Sequence, residues 1–195
     1  MSALPLPHTN TTLNLSVLRR HNPSTHAILS IAPYAVVYHF SSTSQSWEKL
    51  GIEGTLFVCS LYPAYPSGPE RYNVTVLNRR GLENFTTELL DGRDVEVTDE
   101  YVILSVGKTD GDEEGEGEGE KEREKGKVYG LWIFSEPEPS STSQARAINA
   151  RVIMECAVAA ARGKRTVEEG KSEVGGGKVR AGQRITLQDL FRAAA

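Results

Sequence analysis

Between Thr25 and Val106 no helical pattern separates one β-prone run from the next, and this narrows the fold more than any other feature. β-prone runs at 27–32, 35–40, 54–61, 72–78, 95–97 and 101–106 follow one another with no amphipathic helical stretch between them. The breaks carry turn chemistry: Pro33, the Ser/Thr stretch 41–46, the proline-bearing loop 63–69, Gly81 and Asp91-Gly92. A parallel pair needs a connection of a dozen or more residues, usually a helix. Consecutive strands here are therefore expected to be antiparallel. A further run at 128–134 returns as a last strand.

Two helices flank this β region. The first should start with Thr11 or Thr12 as N-cap and stop at Asn22-Pro23. At about 100° per residue, Leu13 and Val17 fall on one side, and Leu15 and Leu18 on nearly the opposite side. Such a helix is either well buried in its own core, or packs one stripe at home and offers the other to a partner. Arg19-Arg20 at its end suit the helix dipole. The second helix is expected over 144–162, capped by the serines at 140–143, with Ile148, Val152, Cys156 and Ala159 or Ala160 as its stripe and Gly163 as its C′ residue. Strands closed by one long helix imply a small antiparallel barrel or sandwich.

The charge is local. Nine acidic and four basic residues fall between 109 and 127, a net of −5 against −4 for the whole chain, so the remainder sums to about +1. That segment is an acidic, Gly-rich insertion unable to bury a core, and the nearly neutral body gives no broad field for nucleic acid. Residues 1–10 read as disordered, 11–163 as the domain, 164–184 as a flexible linker and 185–195 as a short amphipathic motif. In that motif Leu187, Leu190 and Phe191 share a helical face, as a docking segment or as a turn folding back on the domain. The N-terminus does not read as a signal peptide, and no window approaches the roughly 20 apolar residues of a membrane span. Cys59 and Cys156 read as isolated buried thiols of a reducing compartment.

Catalytic chemistry is hard to assemble from this sequence. His8, His21, His26 and His39 are scattered over loop, helix-end and strand positions without metal-ligand spacing or a cysteine cluster. Nucleophile-elbow, Walker and dinucleotide glycine patterns are missing. The expectation is a binding protein without metal or cofactor.

The aromatics say what could be bound. Tyr38 precedes Trp47 by nine residues across the uncharged turn 41–46, and Trp132 lies in the last strand. Spacing alone allows a core aromatic cluster. It also allows a groove for polyproline II segments, whose preformed helix docks at low entropic cost and exposes carbonyls to an indole N–H. The run Trp47-Glu48-Lys49 followed by Ile52-Glu53-Gly54-Thr55-Leu56-Phe57-Val58 resembles the signature of the decapping protein 1 family. Supporting similarities lie at 13–23, 74–79 and 128–134, so the resemblance covers about 12–162.

That family is the non-catalytic activator subunit of the mRNA-decapping complex, with an EVH1/PH-like fold. The acidic insertion and tail are read as those of a fungal member. The resemblance implies that Leu15, Leu18 and Arg19 on the first helix bind the Nudix catalytic subunit, decapping protein 2. It implies that Tyr38, Trp47 and Trp132 receive proline-rich enhancers of decapping, with capped mRNA met only indirectly. Asn78-Arg79 matches a family pair that either stabilises a loop or contacts a partner. The implied setting is the cytoplasm, including P-bodies, with no membrane contact. An EVH1 scaffold unrelated to decapping would share the cleft without needing the first helix. A phosphoinositide-binding PH domain would want Lys/Arg in the turn 41–46, which has none.

Overall fold

In the computed structural model, which describes residues 9–107 and 126–175, the β-prone runs join into one seven-stranded sheet. The chain opens with helix α1 (Asn10–His21) and continues through β1 (Thr25–Ser41), β2 (Ser46–Leu61), β3 (Arg71–Asn78) and β4 (Phe85–Leu89). After a 3-10 turn (Gly92–Asp94) come β5 (Val95–Val97), β6 (Tyr101–Val106), β7 (Lys127–Ile133) and helix α2 (Ala145–Gly175). The strand order is β4-β3-β2-β1-β7-β6-β5, with every neighbouring pair antiparallel. Residues of β4 and of β5 and β6 line one small cavity, so the two sheet edges curve toward each other without pairing. The expected architecture, mainly antiparallel β with a short N-terminal and a long C-terminal helix, is the one the chain adopts.

Element boundaries depart from the sequence reading where local chemistry was misleading. The runs at 27–32 and 35–40 are one strand, because Pro33 sits in a register irregularity between Ala32 and Ala35 where no ladder N–H is required. β2 begins at Ser46 rather than 54, its alternation hidden by a second irregularity opposite Val36 and Tyr38. β4 was not expected at all: only Phe85 and Leu89 of this edge strand are buried. Thr9, not Thr11 or Thr12, caps α1, accepting a hydrogen bond from Thr12 N at 3.2 Å. Residues 109–125 of the acidic insertion and the 185–191 motif, with Leu187, Leu190 and Phe191, lie outside the described residues, while Lys127 opens β7.

α2 corrects two expectations. It does not end at Gly163 but continues to Gly175, through the first part of the expected linker. A mid-helix glycine is tolerated for about 1 kcal/mol relative to alanine. Here it also gives clearance, since a Cβ on Gly163 would stand 3.1 Å from Cβ of Pro69. The buried stripe is also rotated from the predicted one. Asn149, Ala150, Ile153, Cys156, Ala157, Ala160 and Ala161 face inward, while Ile148 is 43% exposed.

The core lies between the inner sheet face and that stripe. Ile153 and the small Ala150 and Ala157 pack over Val37, Leu56, Val58, Val74, Val76, Val102, Leu104 and Leu131. Burying one such branched side chain contributes roughly 1.5–3 kcal/mol. Polar anchoring fixes the rotation of the helix. Fully buried Asn149 accepts from Ser30 Oγ at 2.8 Å and donates to the carbonyls of Ala145 at 2.7 Å and Ile31 at 3.3 Å. Asn149→Ala removes the partner of the Ile31 carbonyl and of the Ser30 hydroxyl, and should lower unfolding stability by about 1–3 kcal/mol. Urea denaturation with an unchanged slope would register this; a midpoint at the wild-type value would refute the anchoring role.

Candidate functional site

The outer face of the sheet carries the aromatics. Along β1, Ala35 and Val37 point into the core, so Val36, Tyr38 and Phe40 take the outer side. Pairing carries this face across the strands: Phe40 opposes Trp47 of β2, Val36 opposes Trp132 of β7, and Trp132 opposes Tyr101 of β6. Trp47 reaches over β1 and lies across Gly130. Its indole stacks on Tyr101 with centroids 5.8 Å apart and planes at 10°. Tyr38 meets the same Tyr101 edge-on at 5.5 Å, and Phe40 meets Trp47 edge-on at 5.5 Å.

Trp132 belongs to the adjoining group, 6.5 Å from Tyr34 and 6.1 Å from Phe134. Tyr38 and Trp47 are thus joined through Tyr101, and Trp132 extends the aromatic surface beside them. Sequence reasoning missed Tyr34, Tyr101 and Phe134. Tyr101 opens a run and only its register opposite Trp132 places it on this face, while Tyr34 and Phe134 are brought together by the hydrogen bond from Phe134 N to Tyr34 O at 3.0 Å. Partial burial raises the Tyr101 hydroxyl above its ordinary pKa, with smaller contributions from Tyr38 and Glu100.

The rim is polar. Lys49 Nζ stands 5.9 Å from the Tyr38 ring centroid, a distance at which a cation is attracted to the ring face. In the turn 41–46, Ser44 Oγ donates to Glu48 Oε1 at 2.7 Å, which holds the Glu48 carboxyl below its usual pKa. On the opposite side of this hairpin from Tyr38 and Phe40, His39 Nε2 lies 3.8 Å from the other Glu48 oxygen.

α1 packs on the same outer face, farther along β1 and β2. Here the expectation reverses. Leu18 is 2% exposed, seated on Phe57 and Cys59 with Ile28 and Leu77 around it, and Leu15 is half-buried. The stripe left in solvent is Leu13 and Val17, 47% and 39% exposed. Phe57 and Cys59 point outward from β2 and need a cover, which Leu18 supplies. Arg19 is committed within the fold: its Nε donates to Thr25 O and its terminal nitrogen to His26 O, both at 2.9 Å. Burial pushes the Cys59 thiol up to about 12 and that of Cys156 to about 11, so both stay protonated near neutrality.

Asn78 and Arg79 work on loops. Asn78 Oδ1 accepts from Arg80 N at 3.0 Å and Glu53 N at 3.3 Å, while its backbone N donates to Asn84 Oδ1 at 2.8 Å. Arg79 donates to Pro33 O and to Thr55 Oγ1, both at 2.9 Å. Of the two roles open for this pair, loop stabilisation is the one its bonds describe.

The Dcp1-like decapping family matches residues 10–147, from the first residue of α1 into α2. The chain belongs to that family. Among similar proteins, the mRNA-decapping enzyme subunit 1 of Schizosaccharomyces pombe is 30% identical over 128 residues, 66% of this chain and 83% of that one. The mRNA-decapping enzyme 1B of Mus musculus is 26% identical over 133 residues, 68% of this chain but 19% of that one. The chain therefore spans about a fifth of the length of such mammalian relatives. A crystal structure of Dcp1p shares the fold, with TM-score 0.52 and 21% identity over 74% of this chain and 96% of that one.

Within this Dcp1-like domain the two sides of α1 should answer differently to truncation. Leu18→Ala opens a cavity over Phe57 and should cost about 2–5 kcal/mol. Leu13→Ala, on the exposed side, should stay within about 0.5 kcal/mol of wild type. Thermal unfolding of the two variants side by side checks the assignment; equal losses would mean that both stripes are covered.

Proposed function

We propose that this chain is the non-catalytic activator subunit of an mRNA-decapping complex. In this reading the exposed Leu13 and Val17 of α1 hold the Nudix catalytic subunit, and the aromatic face around Trp47 receives proline-rich segments of decapping enhancers. The observation that carries it is the family match running through α1 and the sheet, the elements that present these two surfaces. Two apolar side chains in solvent on a twelve-residue helix already anchored by Leu18 form a ready patch for a partner. The stacked rings offer flat apolar walls, and an indole N–H suits a polyproline II carbonyl.

Activation needs no chemical group from this subunit. A protein that binds the closed, active arrangement of its partner better than the open one shifts the population by that difference in affinity. Cap hydrolysis then belongs to the Nudix subunit, and delivery of enhancers to the aromatic face. Such a complex would work in the cytoplasm, including P-bodies.

The test is decapping of capped RNA by the catalytic subunit alone, with this chain, and with Leu13→Ser/Val17→Ser. Stimulation by the wild type is expected. The double variant should need at least about tenfold more protein for the same effect, about 1.4 kcal/mol of lost affinity. Trp47→Ala should keep basal stimulation and lose the added stimulation by a proline-rich enhancer. A folded wild-type protein that neither binds nor stimulates the catalytic subunit would overturn the reading in favour of a proline-binding scaffold.

A further inference from the structure

Trp47 occupies a place that no other strand position offers it. Its backbone is on β2, its ring partner Tyr101 is on β6, and β1 and β7 lie between them. To reach Tyr101 the indole must cross β7, and it crosses at Gly130, the residue paired with Tyr38 on one side and Ile103 on the other. A Cβ built on Gly130 would stand 3.0 Å from Cζ3 of Trp47 and 3.3 Å from both Cε3 and Cη2. Three ring atoms thus meet the position a side chain would fill. Phe40 at 5.5 Å and Tyr101 at 5.8 Å flank the ring, so it yields to a side chain at position 130 by lifting off the sheet and out of its stack.

We infer that Gly130 is a positioning residue of the peptide-binding face: its missing side chain is the seat that holds the Trp47 indole flat against the sheet and stacked on Tyr101. The inference deepens the proline-rich reading of that face and rests on it for its binding consequence. The seat itself is a property of the free protein. Glycine weakens a strand interior, and a glycine there often marks close approach of another group. In this domain the approaching group is the ring proposed to touch ligand. A ring fixed before binding gives up less freedom on docking a stiff polyproline II segment, so the seat raises affinity by preorganisation.

The experiment separates seat from ligand. Near-ultraviolet circular dichroism is recorded for wild type, Gly130→Ala, Tyr101→Ala and Trp47→Phe, with far-ultraviolet spectra as the control for folding. The tryptophan band lost in Trp47→Phe should also be altered in Gly130→Ala; an unaltered band overturns the seat. Should Gly130→Ala not fold, Tyr101→Ala reads the same arrangement without crowding β7, and an unmoved band there overturns it equally.

Binding of a fluorescein-labelled polyproline peptide is then followed by anisotropy. Gly130→Ala should bind about tenfold more weakly than wild type. In a Trp47→Ala background the same substitution should have no further effect, because Gly130 acts only through that ring. Additive losses, or an unchanged affinity in folded Gly130→Ala, would overturn the positioning role. A wild type that ignores the peptide while its tryptophan band still shifts in Gly130→Ala would sink the proline-rich reading and leave the seat standing.

Discussion

The structure depends on how one long strand is allowed to bend. β1 runs for 17 residues through the middle of the sheet, and a strand of that length cannot follow a closed curve without breaking register. It does so at four places along its pairing with β2. Each break turns backbone groups out of the ladder, and a stranded carbonyl in a half-buried place costs about 1–3 kcal/mol. Side chains from three distant elements meet carbonyls at two of these breaks and beside one of them. Arg19 of α1 takes Thr25 and His26, Asn149 of α2 takes Ile31, and Arg79 at the end of β3 takes Pro33. α1 and the β3 turn are tied to the sheet at points where β1 breaks register, and α2 one residue before such a point.

This arrangement divides the two faces of the sheet. α2 covers the inner face with small residues, which let the helix lie close and leave one continuous core. α1 covers only part of the outer face, over Phe57 and Cys59. The rest of that face is aromatic, and no described element of the fold lies over it. Tyr38 and Phe40 reach it because β1 keeps strict alternation beyond its last break, and Trp47 and Tyr101 because β2 and β6 are in register with β1 and β7. One strand sets both the anchorage of the helices and the placement of the rings.

Much of this was legible in the sequence, for identifiable reasons. Short β runs without helices between them dictate antiparallel pairing, and Tyr38 and Trp47 flanking an uncharged turn suggested aromatics on adjacent strands. What escaped depended on tertiary fit. On a helical wheel, Leu13 with Val17 and Leu15 with Leu18 are equivalent stripes; the gap over Phe57 and Cys59 chooses Leu18. Tyr101 stands alone in the polar run Asp99-Glu100-Tyr101, and only its register opposite Trp132 places it on the aromatic face. Gly163 resembled a helix stop because the sequence does not display Pro69 pressing on it. Asn149 gave no signal of burial, since its partners on β1, Ser30 and the Ile31 carbonyl, reach it only once helix and sheet have docked.

The join between β6 and β7 has a consequence for how such domains can vary. The last rung of that pair is Val106 with Lys127, and a Cβ on Gly107 would lie 3.7 Å from Cα of Gly126. The two ends of the acidic insertion are therefore held together by the sheet itself, whatever lies between them. The entropy of closing a loop grows only with the logarithm of its length, roughly 0.6 kcal/mol per doubling. Length at this hairpin is thus thermodynamically cheap and geometrically silent. Sequence can be gained or lost there without moving a ring on the other strands, which makes this hairpin the place where one barrel can grow a lineage-specific appendage.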